Sequence, residues 1–167
     1  KESPTMKFYA GIGARKTPDS VKAIMTKTAT WLEQKGYTLR SGGAEGADKA
    51  FEAGVSIDKE IYYANDATAN AMAIAKRYHP AWDKMGSYAQ KLHGRNSFQI
   101  LGNDLDTKVD FVICWTPDGA ETHEERNFNT GGTGTAISIA NKNGIRVYNL
   151  ANADSVQELR ELLRTMK

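Results

Sequence analysis

Lys7-Phe8-Tyr9-Ala10-Gly11-Ile12-Gly13-Ala14-Arg15-Lys16-Thr17-Pro18-Asp19 is the stretch that decides the fold. Its first six residues are short, aromatic and apolar and break at Gly13, the pattern of a buried strand ending in a turn. Thr17 then offers a hydroxyl N-cap with Pro18 at the first helical position, and Val21, Ile24, Met25, Thr28 and Leu32 follow at helical spacing. The spacing predicts a helix running to a C-cap at Gly36. A strand, a glycine turn and an amphipathic helix in that order make the opening unit of an α/β domain.

The same unit recurs along the chain. Tyr37 to Arg40 reads as a second strand, Ser41 to Gly46 as a turn, and Ala47 to Ala53 as a helix. Lys59 to Tyr63 reads as a third strand. An alanine-rich stretch from Asn65 to about Leu92 reads as two helices interrupted at Pro80. Phe111 to Trp115 is the most hydrophobic strand, and the polar segment from Thr116 to Thr130 exceeds the usual connection length, as functional loops often do. Gly131 to Thr135 opens a further helix, Ile145 to Tyr148 is the last strand, and Ser155 to about Arg164 the closing helix. Strands alternating with helices call for right-handed parallel crossovers, so the expected architecture is a doubly wound, mostly parallel, Rossmann-like sheet. Ligands of such sheets bind beyond the carboxyl ends of the strands, where the turns at Gly13, Ser41, Thr116 and Gly131 converge.

Composition narrows the function classes. A chain of 167 residues with 40% hydrophobic content is long enough for one well-buried core, and residues 6–167 are read as one domain. Lys1 to Thr5 lack periodicity and precede Met6, so they read as a tag remnant or an unordered start. The 22 basic and 20 acidic residues leave a net charge of +2, less basic than dedicated nucleic-acid domains. Cys114 is the one cysteine and no signal-like segment opens the chain, which together imply a reducing, cytoplasmic setting. No apolar run approaches the roughly 20 residues of a membrane span. His79, His93 and His123 are scattered without metal-ligand spacing, so neither a metal nor another cofactor is expected.

Three glycine-rich turns carry the chemistry. Gly11-Ile12-Gly13-Ala14-Arg15 begins like a dinucleotide fingerprint, but Lys16 stands at its third glycine and the second strand ends in Arg40 rather than an acid, which argues against NAD. Backbone approach to an anion remains, with Arg15 adding charge. In Ser41-Gly42-Gly43-Ala44-Glu45-Gly46-Ala47-Asp48, the glycines permit positive φ and expose successive N–H groups to an anion. Glu45 and Asp48 add carboxylates for ribose hydroxyls, although Asp48 equally suits the first turn of a helix. Gly131-Gly132-Thr133-Gly134-Thr135 can hold phosphate at a helix amino end, but it lacks the Gly-Lys-Ser/Thr of an NTP-hydrolysing loop.

Taken together, Gly11-x-Gly13-x-Arg15 with Thr17-Pro18, the octapeptide Ser41 to Asp48, Gly94-Arg95-Asn96, Thr116-Pro117-Asp118-Gly119, and Gly131 to Thr135 resemble the DprA/LOG-like (SLOG) superfamily, from about Met6 to Leu150. The resemblance implies a Rossmann-like fold and a nucleotide-related ligand. Its members include single-stranded DNA binders, nucleotide N-glycosidases and nucleotide sensors, and fold does not choose among them. LOG-type enzymes carry Pro-Gly-Gly-x-Gly-Thr-x-x-Glu, but here Thr130 stands at the proline and Ser138 at the catalytic glutamate. The catalytic residues are therefore left unassigned, with Glu45 or a carboxylate of the 118–125 loop as candidates for glycosidic cleavage.

The resulting expectation is a domain that binds a nucleotide or nucleotide-derived small molecule through Gly11, Gly13, Arg15, Thr17, Ser41, Gly42, Gly43, Glu45, Gly46, Asp48, Thr116, Pro117, Asp118 and Gly131 to Thr135. The alternatives are an N-glycosidic hydrolase or transferase and a single-stranded DNA binder in recombination. Self-association into a homo-oligomer is an expectation taken from the resemblance.

Overall fold

In the computed structural model, which describes residues 6–166, the pleat of β1 (Lys7–Gly11) turns Phe8 and Ala10 into one core and Tyr9 into another. The expectation about residues 1–5 lies outside the described residues. The same alternation splits β4 (Phe111–Cys114), with Val112 and Cys114 in the first core and Phe111 and Ile113 in the second. β2 (Tyr37–Ser41), β3 (Lys59–Ile61) and β5 (Arg146–Asn149) complete a fully parallel sheet in the order β3-β2-β1-β4-β5. This is the expected α/β, Rossmann-like arrangement.

Two helical layers cover the sheet, as a parallel sheet buried on both faces requires. Met25, Ala29 and Leu32 of α1 (Asp19–Gln34), Phe51 of α2 (Ala47–Ala53) and Leu159 of α6 (Ala153–Thr165) pack against Tyr9, Leu39 and Phe111. On the opposite face, Ile100 and Leu101 of α4 (Ser87–Leu101) and Ile137 and Ile139 of α5 (Thr133–Lys142) pack on Phe8, Val112 and Val147. The chain changes face between β3 and β4, passing through α3 (Ala69–Lys76) and α4. Strand order therefore reverses beside β1, and the crevice of a doubly wound sheet belongs at that reversal.

Several local differences from the sequence reading have physical causes. α1 begins at Asp19 with Pro18 in the cap position, and the Thr17 hydroxyl donates to the Ala14 carbonyl at 2.6 Å and makes no cap bond to the helix. The third strand stops at Ile61, which releases Tyr63 from the sheet. α4 continues past Leu92 to Leu101, carrying Gly94 in its interior. A Cβ at Gly94 would lie 2.5 Å from Met72 Cγ, so the close packing of α4 on α3 outweighs the helix-weakening effect of glycine. None of the described helices is long and apolar enough to cross a membrane.

Candidate functional site

The turns after β1 and β2 and the turn opening α5 meet α4 around a cavity of about 630 Å³. Parallel strands bring the turns to one edge of the sheet, and glycines let them touch. A Cβ at Gly13 would sit 2.8 Å from the Trp115 carbonyl, in the loop after β4. At Gly46, φ is +90° and a Cβ would lie 2.5 Å from the Ala14 carbonyl, which also accepts the Ala47 N–H.

Of the residues singled out from sequence, Gly13, Arg15, Gly42, Gly43, Asp48, Gly131, Gly132 and Thr133 line this cavity. The others stand beside or beneath it. Gly11 lies where a Cβ would strike Phe51 and Leu39, and the Ser41 hydroxyl donates to the Gly11 carbonyl at 2.5 Å. Thr17 and Gly46 shape the first two turns, while Glu45 and Pro117 are exposed. Thr135 bonds His93 Nδ1 at 2.8 Å, and Gly134 packs beside Arg126.

Thr116 and Asp118 pin the long loop. Asp118 accepts hydrogen bonds from the Thr116 and Thr130 hydroxyls and the Ala120 N–H. Burial works to raise the Asp118 pKa, yet the bonds from Thr130, Thr116 and Ala120 together hold it below the usual carboxylate value. Asn149, fully buried at the end of β5, reinforces this pinning by donating to Thr116 Oγ1 at 2.7 Å and the Ala120 carbonyl at 2.9 Å.

The floor of the cavity comes largely from α4. Tyr88, Leu92, Arg95, Asn96 and Gln99 recur at helical spacing and all face the cavity. Asn96 Nδ2 donates to the Gly132 carbonyl at 3.1 Å, and Arg95 Nη1 donates to the carbonyls of Gly42 and Tyr62, both at 2.9 Å. A Cβ at Gly42 would stand 2.5 Å from Arg95 Nη1 and 2.6 Å from Gln99 Nε2, so a side chain there would displace the ends of both. The sequence marks Arg95 and Asn96 only within the family resemblance, offers His93 only as a metal ligand to be rejected, and does not mark Gln99 or Tyr63 as site residues. Continuing the helical period beyond Leu92 is the signal that finds the α4 set.

Three buried polar atoms at this floor have no hydrogen-bond partner: Asp48 Oδ1, Arg95 Nε and Gln99 Oε1. Buried polar groups are ordinarily paired, so each orphan needs a reason. Asp48 is only 4% exposed, and its other oxygen accepts the Ala44 N–H at 3.3 Å. Burial pushes the Asp48 carboxyl up to about 6, against the lowering influence of the Arg95 charge and the Ala44 N–H. Burial likewise lowers the Arg95 pKa, with the Asp48 charge opposing it. His93 is pushed down to about 4 by burial first, then by the charges of His79, Arg126 and Arg95, and is therefore neutral near pH 7.

Comparison with protein-family models, curated proteins and solved structures returns no match. What stands is a Rossmann-like α/β domain with a cavity at its topological switch. The position of the LOG-type glutamate, Ser138, is fully buried and does not line that cavity. Its hydroxyl instead lies 2.5 Å from Arg126 Nη1 and 2.7 Å from His123 Nδ1, fastening the long loop to α5. Cys114 is also fully buried, and its thiol is pushed up by burial, then by the charges of Glu121 and Asp118, which suits a core residue. Among the described residues, no group of three or more His, Cys, Asp or Glu side chains is placed to hold a metal ion.

Proposed function

We propose that the cavity binds a nucleoside phosphate, with the phosphate at the amino end of α5 and the sugar over Asp48. The carrying observation is the set of unpartnered atoms on Asp48, Arg95 and Gln99, buried together at the floor of a cavity bordered by three glycine-rich turns. Two acceptors and one donor match a ribose diol, which offers both hydroxyl hydrogens and oxygen lone pairs. The amino end of α5 has no side-chain cap, and it carries the positive end of the helix dipole toward Gly131-Gly132-Thr133. Arg15 adds a cation at the same cavity.

Gly132 supports the phosphate assignment by a different route. It has ordinary helical angles, φ −62° and ψ −24°, and a Cβ there would meet no protein atom within 4 Å. The fold does not require glycine at that position, whereas close approach of a ligand to the backbone would. Tyr63 and Tyr88, 53% and 64% exposed, stand at the same cavity and offer aromatic faces to a base. This reading agrees with the resemblance of the glycine turns to the DprA/LOG-like superfamily, and we propose membership of that superfamily on the same grounds.

Calorimetric titration and thermal shift with nucleoside monophosphates, ADP-ribose and a single-stranded oligonucleotide test the reading. A ligand at 100 times its Kd stabilises by about 2.7 kcal/mol, or roughly 5–10 °C for a domain of this size. A small-nucleotide response that is lost in Asp48→Ala is the expected outcome. A response to the oligonucleotide alone would replace the proposal with strand binding. Cleavage or transfer at the N-glycosidic bond is the second reading, favoured by a carboxyl with a pKa of about 6 in the same cavity. Release of free base is its readout.

A further inference from the structure

A second cleft, of about 470 Å³, lies where the end of α3 and the turn after it face the long loop. Lys76, Arg77, His79, His123 and Arg126 line it together with Tyr78 and Pro80, and no carboxylate is among its lining residues. Of the nearby acids, two are engaged away from the cleft and one reaches a lining lysine. Glu124 pairs with Lys142 at 3.2 Å, and Glu125 accepts the Glu121 N–H at 3.0 Å and the Thr122 hydroxyl at 3.2 Å. Asp83 reaches Lys76 at 3.8 Å from a largely exposed position.

The hydrogen bonds also fix what these side chains present. His79 Nδ1 accepts the Ala81 N–H at 3.2 Å, which leaves its Nε2 as the proton-bearing nitrogen. Ser138 Oγ accepts from Arg126 Nη1 and lies 2.7 Å from His123 Nδ1, which holds the His123 ring in place. Arg126 is half-buried, donates to the carbonyls of Tyr78 at 2.9 Å and Gly134 at 3.2 Å, and has no carboxylate within ion-pair distance among the described residues. Two imidazoles, an ammonium and two guanidiniums thus border one cleft.

We propose that this cleft is a second anion site, built for a phosphate-like dianion and separate from the nucleotide cavity. A rim of five cationic or N–H-bearing side chains, opposed by the single and largely exposed carboxylate of Asp83, favours a doubly charged, acceptor-only group over a neutral ligand. The two sites adjoin through His79 and His93, whose ring centroids are 4.6 Å apart, with His93 lining the first cavity and His79 the second. The site stands on its own residues and does not depend on the nucleotide reading.

The chain contains three histidines, so its imidazole NMR signals report the two sites separately. Titration with inorganic phosphate, against sodium chloride at matched ionic strength, is expected to move the His123 and His79 signals in saturable fashion. Replacing the exposed pair, Lys76→Gln with Arg77→Gln, should weaken phosphate about tenfold, while Asp83→Asn, which removes the competing carboxylate, should tighten it about twofold. Gly132→Leu, which obstructs the first cavity, should leave the His123 titration unchanged. The proposal is overturned if chloride reproduces the shifts, if phosphate moves His93 but not His123, or if the double variant titrates like the parent.

Discussion

Replacing Gly132 by alanine should stabilise the free protein and weaken its ligand at the same time. The residue already has helical angles and its Cβ would meet no protein atom within 4 Å, so alanine fits without strain. Restricting the unfolded chain then contributes about 0.4–1 kcal/mol, a rise of roughly 1–4 °C in Tm. A phosphate held by the α5 amino end must approach the backbone where that methyl would stand. Loss of one charge-assisted hydrogen bond, about 1.5–3 kcal/mol, corresponds to about tenfold to a hundredfold in Kd. Gly132→Leu should abolish binding with the fold retained. The adjacent Gly131→Ala provides the contrast, because φ of +68° at Gly131 makes a side chain cost about 1–2 kcal/mol in the folded state. Differential scanning calorimetry of the free proteins and titration calorimetry with nucleoside monophosphates measure both halves. A Gly132→Leu protein that binds as tightly as the parent would remove the phosphate from this turn.

Asp48→Asn should stabilise the free protein near pH 7. The Asp48 carboxyl titrates near 6 when folded against 3.8 when free, a difference of about 3 kcal/mol carried by a buried group. Because the folded value is the higher one, this contribution to stability is present below about pH 4 and is lost as pH rises through about 6. Urea unfolding between pH 4 and 7 should therefore show a decline for the parent that is flattened in Asp48→Asn; parallel profiles would contradict the assignment. Asn149→Ala should cost about 3 kcal/mol by removing the partner of the Ala120 carbonyl and of the Thr116 and Ala151 N–H groups, and urea midpoints measure it. Cys114 should react with a thiol reagent only as fast as the protein unfolds, which stopped reagent assays in rising urea would check.

The sheet was legible because apolar alternation and glycine punctuation are local signals. Tyr9 and Phe8 announce opposite faces from adjacent positions, and Gly36, in the left-handed region at φ +87°, marks the end of α1 to within two residues. The candidate site was only half legible, and the missing half is long-range. Arg95 reaches Gly42 across 53 residues and Asn96 reaches Gly132 across 36, contacts that no periodicity encodes. Thr17 shows the converse failure: it has the chemistry of an N-cap, but the helix starts one residue later than that reading needs and its hydroxyl closes the turn onto the Ala14 carbonyl at 2.6 Å.

The glycines illustrate why a motif read as one signal divides in three dimensions. At Gly11, Gly13 and Gly46 the Phe51 ring or neighbouring backbone already occupies the place of a Cβ, and their substitution tests the fold, whereas at Gly42 a Cβ would push aside the ends of Arg95 and Gln99. Gly131 is held by its backbone angle, with open space around it. Gly132 has neither constraint, so a side chain there tests the proposed ligand rather than the fold. That distinction makes Gly132 the position at which ligand binding and folding can be separated by a single substitution.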